Sequence, residues 1–161
     1  MGTEGEFWHG ASRNVFRITA AIYQGAYPEQ DAAAYLKQLG VSAILNVSGG
    51  SADSAEGFTC LSVPFPDGQP IPDDAIERCL LFLDRCRASG HKVFVHCVAG
   101  QNRSPTIVWL YFIFGGMTPE QASTAFAGKT LDGVPGHPTL VGSAQLRLVE
   151  QLRRHHNETP Q

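Results

Sequence analysis

The segment from Lys92 to Thr106 reads KVFVHCVAGQNRSPT. After the lysine, its first residues are β-branched or aromatic and predict a short buried strand. A loop containing glycine follows, and the apolar run from Ile107 to Tyr111 predicts a buried helix. A strand, a loop and a helix therefore meet at Cys97.

The loop between Cys97 and Arg103 has the chemistry of an anion-binding site. Successive backbone N–H groups in a curled loop and at a helix N-terminus attract anions. Arg103 can add a planar fork of donors that matches two phosphate oxygens. The same positive field favours the thiolate form of Cys97, which is the nucleophilic form. The sequence therefore predicts a loop that both binds phosphate and carries a nucleophile.

The run from His96 to Ser104 matches the pattern His-Cys-x-x-Gly-x-x-Arg-Ser/Thr. This pattern resembles the signature of the cysteine-based protein tyrosine phosphatase superfamily, and Ala-Gly-x-x-Arg-Ser-Pro-Thr resembles its dual-specificity branch. The fragment at 22–25, followed by a predicted helix and by residues 45–47, also resembles the opening of such domains. The resemblance implies an α/β fold in which a mixed, mostly parallel sheet is flanked by helices.

The resemblance also implies a role for each residue of the loop. Cys97 attacks the phosphoryl group, Arg103 holds its oxygens, and Ser104 donates to the sulfur when the intermediate is hydrolysed. His96 favours the thiolate through the local hydrogen-bond network.

Asn102 stands where this branch more often has serine, and Gln101 beside it is bulky and neutral. The residues expected to bind the phosphate through their backbone are Val98, Ala99, Gly100, Gln101, Asn102 and Arg103.

Cleavage of a phosphate monoester by a thiolate needs an acid that protonates the departing oxygen. Asp67 is the first candidate, because it lies on a proline-rich loop, 64–72, directly after a predicted strand. Its distance from Cys97 along the chain resembles that between acid loop and nucleophile in dual-specificity phosphatases. Asp73 and Asp74 compete for this role, although two acids at a helix start are also what the helix dipole favours.

The composition predicts one globular domain, and the mechanism that the resemblance implies uses no cofactor or metal. The chain has 161 residues, 43% of them hydrophobic, with a net charge of −3 that gives no general attraction to nucleic acid or to an anionic membrane. None of the four cysteines forms a Cys-x-x-Cys pair, no secretory signal is evident, and no His-x-x-x-His motif suggests a metal site. We expect a cytoplasmic monomer with reduced thiols, whose partners are phosphorylated proteins or peptides and whose loop also accepts phosphate, sulfate or vanadate.

Helices and strands follow one another along the chain, which favours a sheet covered by helices. We expect an N-terminal arm over 1–14, a catalytic domain over 15–154 and a polar tail over 155–161. The predicted strands are 15–18, 21–24, 41–47, 58–63 and the one before Cys97. The predicted helices are 28–39, 73–87, the one after the Cys97 loop, one starting at Thr118-Pro119, and 140–154.

Four questions stay open at this level. The arm that carries Phe7 and Trp8 either moves freely or lies on the domain. Asn46 either orients the phosphate loop or merely ends its strand. His155 and His156 favour a solvated tail over a metal site. Three functions compete: a phosphatase of phosphotyrosine, phosphoserine and phosphothreonine in proteins; a phosphatase of inositol phosphates, lipids, glycans or RNA ends; and a catalytically inactive phosphate-binding module.

Overall fold

The computed structural model describes residues 14–28, 32–48 and 57–158. The predicted arm, apart from Asn14, therefore lies outside the described residues. So do residues 29–31 of the predicted helix at 28–39 and most of the loop at 48–57.

A five-stranded sheet forms the centre of the molecule, in the order β1-β2-β5-β3-β4. Strand β1 pairs antiparallel with β2, and the other neighbouring strands are parallel. The mixed, mostly parallel sheet expected from the sequence is thus confirmed. The strands are β1 (Val15–Arg17), β2 (Ile22–Gly25), β3 (Val41–Asn46), β4 (Thr59–Ser62) and β5 (Lys92–His96).

Helices cover both faces of this sheet, as expected. They are α1 (Ala32–Gln38), α2 (Asp73–Ala88), α3 (Arg103–Phe114), α4 (Pro119–Phe126) and α5 (Ser143–Glu158). At the start of α4, the Thr118 hydroxyl accepts from the Gln121 backbone N–H, and the Gln121 side chain accepts from the Thr118 N–H. This is the capping box that the sequence predicts.

Strand β5 is buried on both faces, which explains why it reads as a continuous apolar run. Val93 and Val95 pack into the larger core, which includes α2, α3 and residues of α4 and α5. Phe94 points the other way, into a smaller core with Leu36 of α1. The alternation of side chains along a strand produces this division. Cys97 consequently follows the central strand of the sheet.

Helix α5 differs from its predicted bounds at both ends. It begins at Ser143 rather than at Leu140, which is fully buried in the preceding loop and whose carbonyl accepts from the Ile71 N–H. A residue can belong to an apolar stripe because it packs in the core, without being helical.

The C-terminal end of α5 continues through His155 and His156, where a solvated tail was expected. The His156 Nε2 lies 3.1 Å from the Asp84 Oδ2 of α2, and its ring lies 5.3 Å from the Phe114 ring. Asp84 also accepts from Arg87 and from the Tyr111 hydroxyl. Burial raises the pKa of Asp84, but these hydrogen bonds outweigh burial and hold it below its usual value. The tertiary contact extends the helix beyond the point where the amphipathic pattern fades.

Candidate active site

Cys97 lies at the carboxyl end of β5 and is 2% exposed. The loop from Cys97 to Asn102 connects this strand to α3, which starts at Arg103. The Asn102 side chain makes no capping hydrogen bond, so it does not occupy the first N–H groups of this helix. The predicted strand, loop and helix are therefore confirmed around Cys97.

Gly100 shapes the loop. Its φ is +76°, a conformation that favours glycine, and a Cβ there would lie 2.8 Å from the Gly25 carbonyl carbon and 2.9 Å from the Ala26 nitrogen. Only glycine allows the loop to approach the end of β2 this closely. Tyr27 closes the contact, because its N–H donates to the Val98 carbonyl over 3.0 Å.

The structure brings Ser104 to Cys97. The Ser104 Oγ lies 3.2 Å from the Cys97 Sγ and also 3.2 Å from the Gly25 carbonyl oxygen. Ser104 is fully buried in the first turn of α3, and this burial restricts the orientation of its hydroxyl. The contact expected between the two side chains is present.

Arg103 is held at the site by the proline-rich loop at 64–72, which also carries Asp67. Its Nη1 donates to the Phe65 carbonyl oxygen over 3.0 Å, two residues before Asp67. Its Nε is buried and finds no acceptor among the residues that the structure describes. A buried donor without a partner costs about 1–3 kcal/mol. An anion at the loop would remove this cost, which fits the predicted role of Arg103.

Asp67 lies at the mouth of the loop, unlike the competing acids. Its Oδ2 accepts from the Asn102 Nδ2 over 3.3 Å, and its Oδ1 accepts from the Gly68 N–H over 2.9 Å. Asp73 and Asp74 stand in the first turn of α2, where their charges match the helix dipole. Asn102, which departs from the usual pattern of the branch, thereby orients the candidate acid.

His96 makes no hydrogen bond to the Cys97 sulfur. Its Nδ1 lies 3.2 Å from the Cys97 carbonyl oxygen, and its ring packs against Phe94 and Tyr27. Burial lowers its pKa to about 4, although the bond to the Cys97 carbonyl opposes this. His96 is therefore neutral at physiological pH and supplies no positive charge for a thiolate. The structure gives His96 a packing position under the loop and one hydrogen bond to the loop backbone, and its expected effect on the thiolate through the hydrogen-bond network stays a prediction.

The neutral, buried imidazole predicts an acid-sensitive fold. Because the pKa of His96 is lower in the folded state, the unfolded state binds more protons between about pH 6.5 and pH 4, so stability falls as the pH drops through this range. We expect parent protein to lose roughly 2 kcal/mol more of its unfolding free energy between pH 7 and pH 4.5 than His96→Asn does. Urea unfolding at several pH values measures this difference. Equal pH dependence in the two proteins would contradict it.

A second loop, 128–138, forms part of the rim. The Gln101 Nε2 donates to the Asp132 carboxylate over 2.9 Å, and the Val134 N–H donates to the Gln101 carbonyl over 2.6 Å. Of the large apolar side chains that are exposed in the described part of the chain, all except Met117 lie in the phosphate loop or in segments that contact it. They are Tyr27, Val98, Leu131 and Val134. The rim is thus apolar with acidic side chains at its edge.

Asn46 orders its own turn rather than the phosphate loop. Its Oδ1 accepts from the Ser48 N–H over 2.7 Å and also from the Ser48 hydroxyl. Its Nδ2 is buried and has no partner within the described ranges. The strand-ending alternative therefore fits the structure better.

Sequence reasoning missed Gln24 and Asp132. Gln24 reads as one polar residue in a short strand, yet it is fully buried beneath the loop, and its Nε2 donates to the Gly100 carbonyl and to the Ser104 Oγ, each over 2.9 Å. The sequence offered one signal for Gln24: a long amide side chain that follows two apolar residues of the strand and precedes a glycine. Asp132 gave no signal, because its partner is distant in sequence.

The two core thiols, Cys79 and Cys86, add no nucleophile to the site. Burial raises the pKa of Cys79 to about 12 and also raises that of Cys86. Both therefore stay protonated in the core.

Within residues 14–28, 32–48 and 57–158, no group of three His, Cys, Asp or Glu side chains could hold a metal ion. In the same ranges, no helix has the length and apolar character needed to cross a bilayer.

Comparison with known proteins agrees with this geometry. The family model for the dual specificity phosphatase catalytic domain matches residues 22–124. The chain is 37% identical over 124 residues to human protein tyrosine phosphatase type IVA 3, an alignment that covers 73% of this chain and 68% of that protein. It is 35% identical over 98 residues to mouse dual specificity protein phosphatase 2, which covers 60% of this chain and 31% of that protein.

A solved structure supports the same fold. It is a mouse putative dual specificity phosphatase complexed with zinc tungstate, with a TM-score of 0.76 at 22% identity, covering 93% of this chain and 94% of that one. At this identity the likeness concerns the fold, whereas the family rests on the matched model and the closer relatives. The chain belongs to the dual specificity phosphatase catalytic-domain family and is a cysteine-dependent phosphatase.

Proposed function

We propose that this phosphatase acts on phosphoproteins, hydrolysing phosphotyrosine and also phosphoserine and phosphothreonine through a cysteinyl-phosphate intermediate. One observation carries the proposal: the Cys97 loop, the buried Arg103 donor and the Asp67 carboxylate converge at one mouth. This arrangement contains the nucleophile, the oxyanion donors and the acid that phosphoryl transfer to sulfur requires.

In the first step the Cys97 thiolate attacks phosphorus as the ester bond breaks. The loop N–H groups and Arg103 stabilise the charge on the equatorial oxygens. The Phe65 carbonyl fixes one end of the guanidinium and leaves Nε for the substrate. Asp67, protonated and oriented by Asn102, gives its proton to the departing oxygen.

In the second step water attacks the phosphocysteine and the sulfur leaves. Asp67, now a carboxylate, takes a proton from that water. The Ser104 hydroxyl, 3.2 Å from the sulfur, donates to the developing thiolate. The reaction returns inorganic phosphate and the starting enzyme, without a metal or cofactor in either step.

The rim favours a protein substrate. The phosphate loop contains no lysine or arginine besides Arg103, and Lys129 on the neighbouring loop donates to the Ile18 carbonyl. A polyphosphorylated substrate such as an inositol phosphate would need several cations. The apolar rim, with Asp67 and Asp132 beside it, instead fits an aromatic phosphoester flanked by apolar or basic residues.

We further propose that the enzyme works as a cytoplasmic monomer and does not bind nucleic acid. The net charge of −3 gives no general attraction to nucleic acid, and the four free cysteines fit a reducing compartment. The catalytic domain would extend from residue 15 to the end of α5 at Glu158, because the Asp84 contact ties that helix end to α2.

Initial rates on matched substrates test this function. Three peptides of one apolar and basic sequence would carry phosphotyrosine, phosphoserine or phosphothreonine, and phosphoinositide vesicles would serve as the non-protein substrate, all in chelator. We expect kcat/KM on the phosphotyrosine peptide to exceed that on the vesicles by at least about 100-fold. The Arg103→Lys variant, which keeps the charge but loses the fork, should lose activity on every substrate.

Faster turnover of the vesicles would favour the non-protein function. A parent protein that is inert on all substrates but binds phosphate at the loop would favour the inactive module.

A further inference from the structure

We infer that Gln24 is a positioning residue, which orients the Ser104 hydroxyl toward the Cys97 sulfur. This inference rests on the proposed cysteinyl-phosphate chemistry, since the contact matters when the sulfur leaves phosphorus. Gln24 lies on β2, directly beneath the loop, and is fully buried.

The orientation of the Gln24 amide is fixed by a carbonyl. The Gly100 carbonyl oxygen can only accept, and it lies 2.9 Å from the Gln24 Nε2. The NH₂ group must therefore face the loop, and the Oε1 must face away. That Oε1 is buried without a partner among the described residues. The fold tolerates an unsatisfied acceptor in order to keep the two donors on the loop.

The second Nε2 proton of Gln24 makes the Ser104 Oγ a hydrogen-bond acceptor. The Ser104 Oγ accepts from the Gln24 Nε2 over 2.9 Å, so the hydroxyl proton cannot point back at the amide. Two acceptors remain for that proton, the Cys97 sulfur and the Gly25 carbonyl oxygen, both at 3.2 Å. A charged acceptor takes the stronger hydrogen bond. As negative charge develops on the sulfur, the Ser104 proton therefore turns to it.

The step that benefits is hydrolysis of the intermediate. The S–P bond breaks and its electron pair goes to sulfur, while a water oxygen bonds to phosphorus and releases a proton to Asp67. Ser104 stabilises the departing thiolate. Without the Gln24 donor, the Ser104 hydroxyl has a free lone pair and rotates among its partners, so this step slows more than the attack does.

A double-mutant cycle tests the inference on the full chain. Gln24→Met keeps the length of the side chain but removes both donors, and Ser104→Ala removes the hydroxyl. In stopped-flow hydrolysis of 4-nitrophenyl phosphate, we expect Gln24→Met to reduce kcat about tenfold and to give a larger burst than the parent, because the intermediate accumulates. In the Ser104→Ala background the same change should reduce kcat by less than about twofold.

Ile22→Val is the matched control on the same strand. It reduces packing in the core without touching the amide, so it should lower stability and leave the burst unchanged. A tenfold loss in both backgrounds, or a loss without an increased burst, would overturn the inference. It would show that Gln24 supports the loop only through Gly100.

NMR of the unmodified Gln24 side chain provides a test that does not depend on activity or on the Met variant. The Nε2 proton that faces Ser104 should shift strongly on Ser104→Ala, whereas the one that faces Gly100 should change little. Two unchanged signals would overturn the inference. A parent protein without phosphatase activity would instead contradict the proposed function, and the NMR result would still decide whether Gln24 binds Ser104.

Discussion

Replacing Cys97 with serine should reduce kcat on an aryl phosphate by at least about 10⁴-fold, below the detection limit of ordinary assays. A serine hydroxyl does not ionise near neutral pH, and the loop has no base positioned to activate it. Asp67 must act first as an acid, and His96 bonds to a backbone carbonyl rather than to the side chain at 97. The nucleophile would therefore be lost while the oxyanion donors remain.

Binding distinguishes this loss from unfolding. The loop N–H groups and Arg103 stay in place, so Cys97→Ser should bind the phosphotyrosine peptide within about tenfold of the parent affinity. Calorimetric titration of the variant measures this. Cys60→Ser provides the matched control, because Cys60 lies on the edge strand β4, and it should retain parent activity. Substantial turnover by Cys97→Ser would contradict the assignment of the nucleophile.

Replacing Asp67 with asparagine should reduce kcat on a phosphotyrosine peptide by about 10²–10³-fold. The amide cannot protonate the departing tyrosine oxygen, but its Oδ1 can still accept from a neighbour, so loop geometry is largely kept. The loss should be smaller on 4-nitrophenyl phosphate, whose leaving group needs little protonation. The basic limb of the pH–rate profile should disappear as well, because that limb reports deprotonation of the acid.

Asp73→Asn separates the two candidate acids. Asp73 lies in the first turn of α2 and should affect stability through the helix dipole, by less than about 1 kcal/mol, and not the pH profile. A retained basic limb in Asp67→Asn, together with its loss in Asp73→Asn, would transfer the role to Asp73.

Local sequence patterns were sufficient for the elements that carry the site. The apolar run before Cys97 predicted β5, since a strand buried on both faces has apolar side chains on both. Gly100 marked a turn that no other residue can make, and Thr118 with Gln121 marked the start of α4. Each of these signals acts within a few residues, where backbone geometry and capping are determined.

Contacts between distant segments were not predictable in this way. The amphipathic pattern ended the last helix at Arg154, whereas the contact between His156 and Asp84 carries it to Glu158. The pattern also placed Leu140 in that helix, although it packs in the core from a loop. A buried loop residue and a buried helical residue can therefore give the same apolar spacing in the sequence.

By itself, the sequence determined the nucleophile loop, the order of strands and helices, and Asp67 as the first candidate acid, because these depend on residue types at short, fixed spacing. Only the tertiary structure decided that Asn102 orients Asp67, that the Phe65 carbonyl holds Arg103 and that Gln24 supports Ser104. It also decided that His96 is neutral, since burial and not residue type lowers its pKa to about 4. These features depend on which distant segments the sheet brings together. A hydrogen bond between residues far apart in the sequence produces no periodic sequence pattern that could predict it.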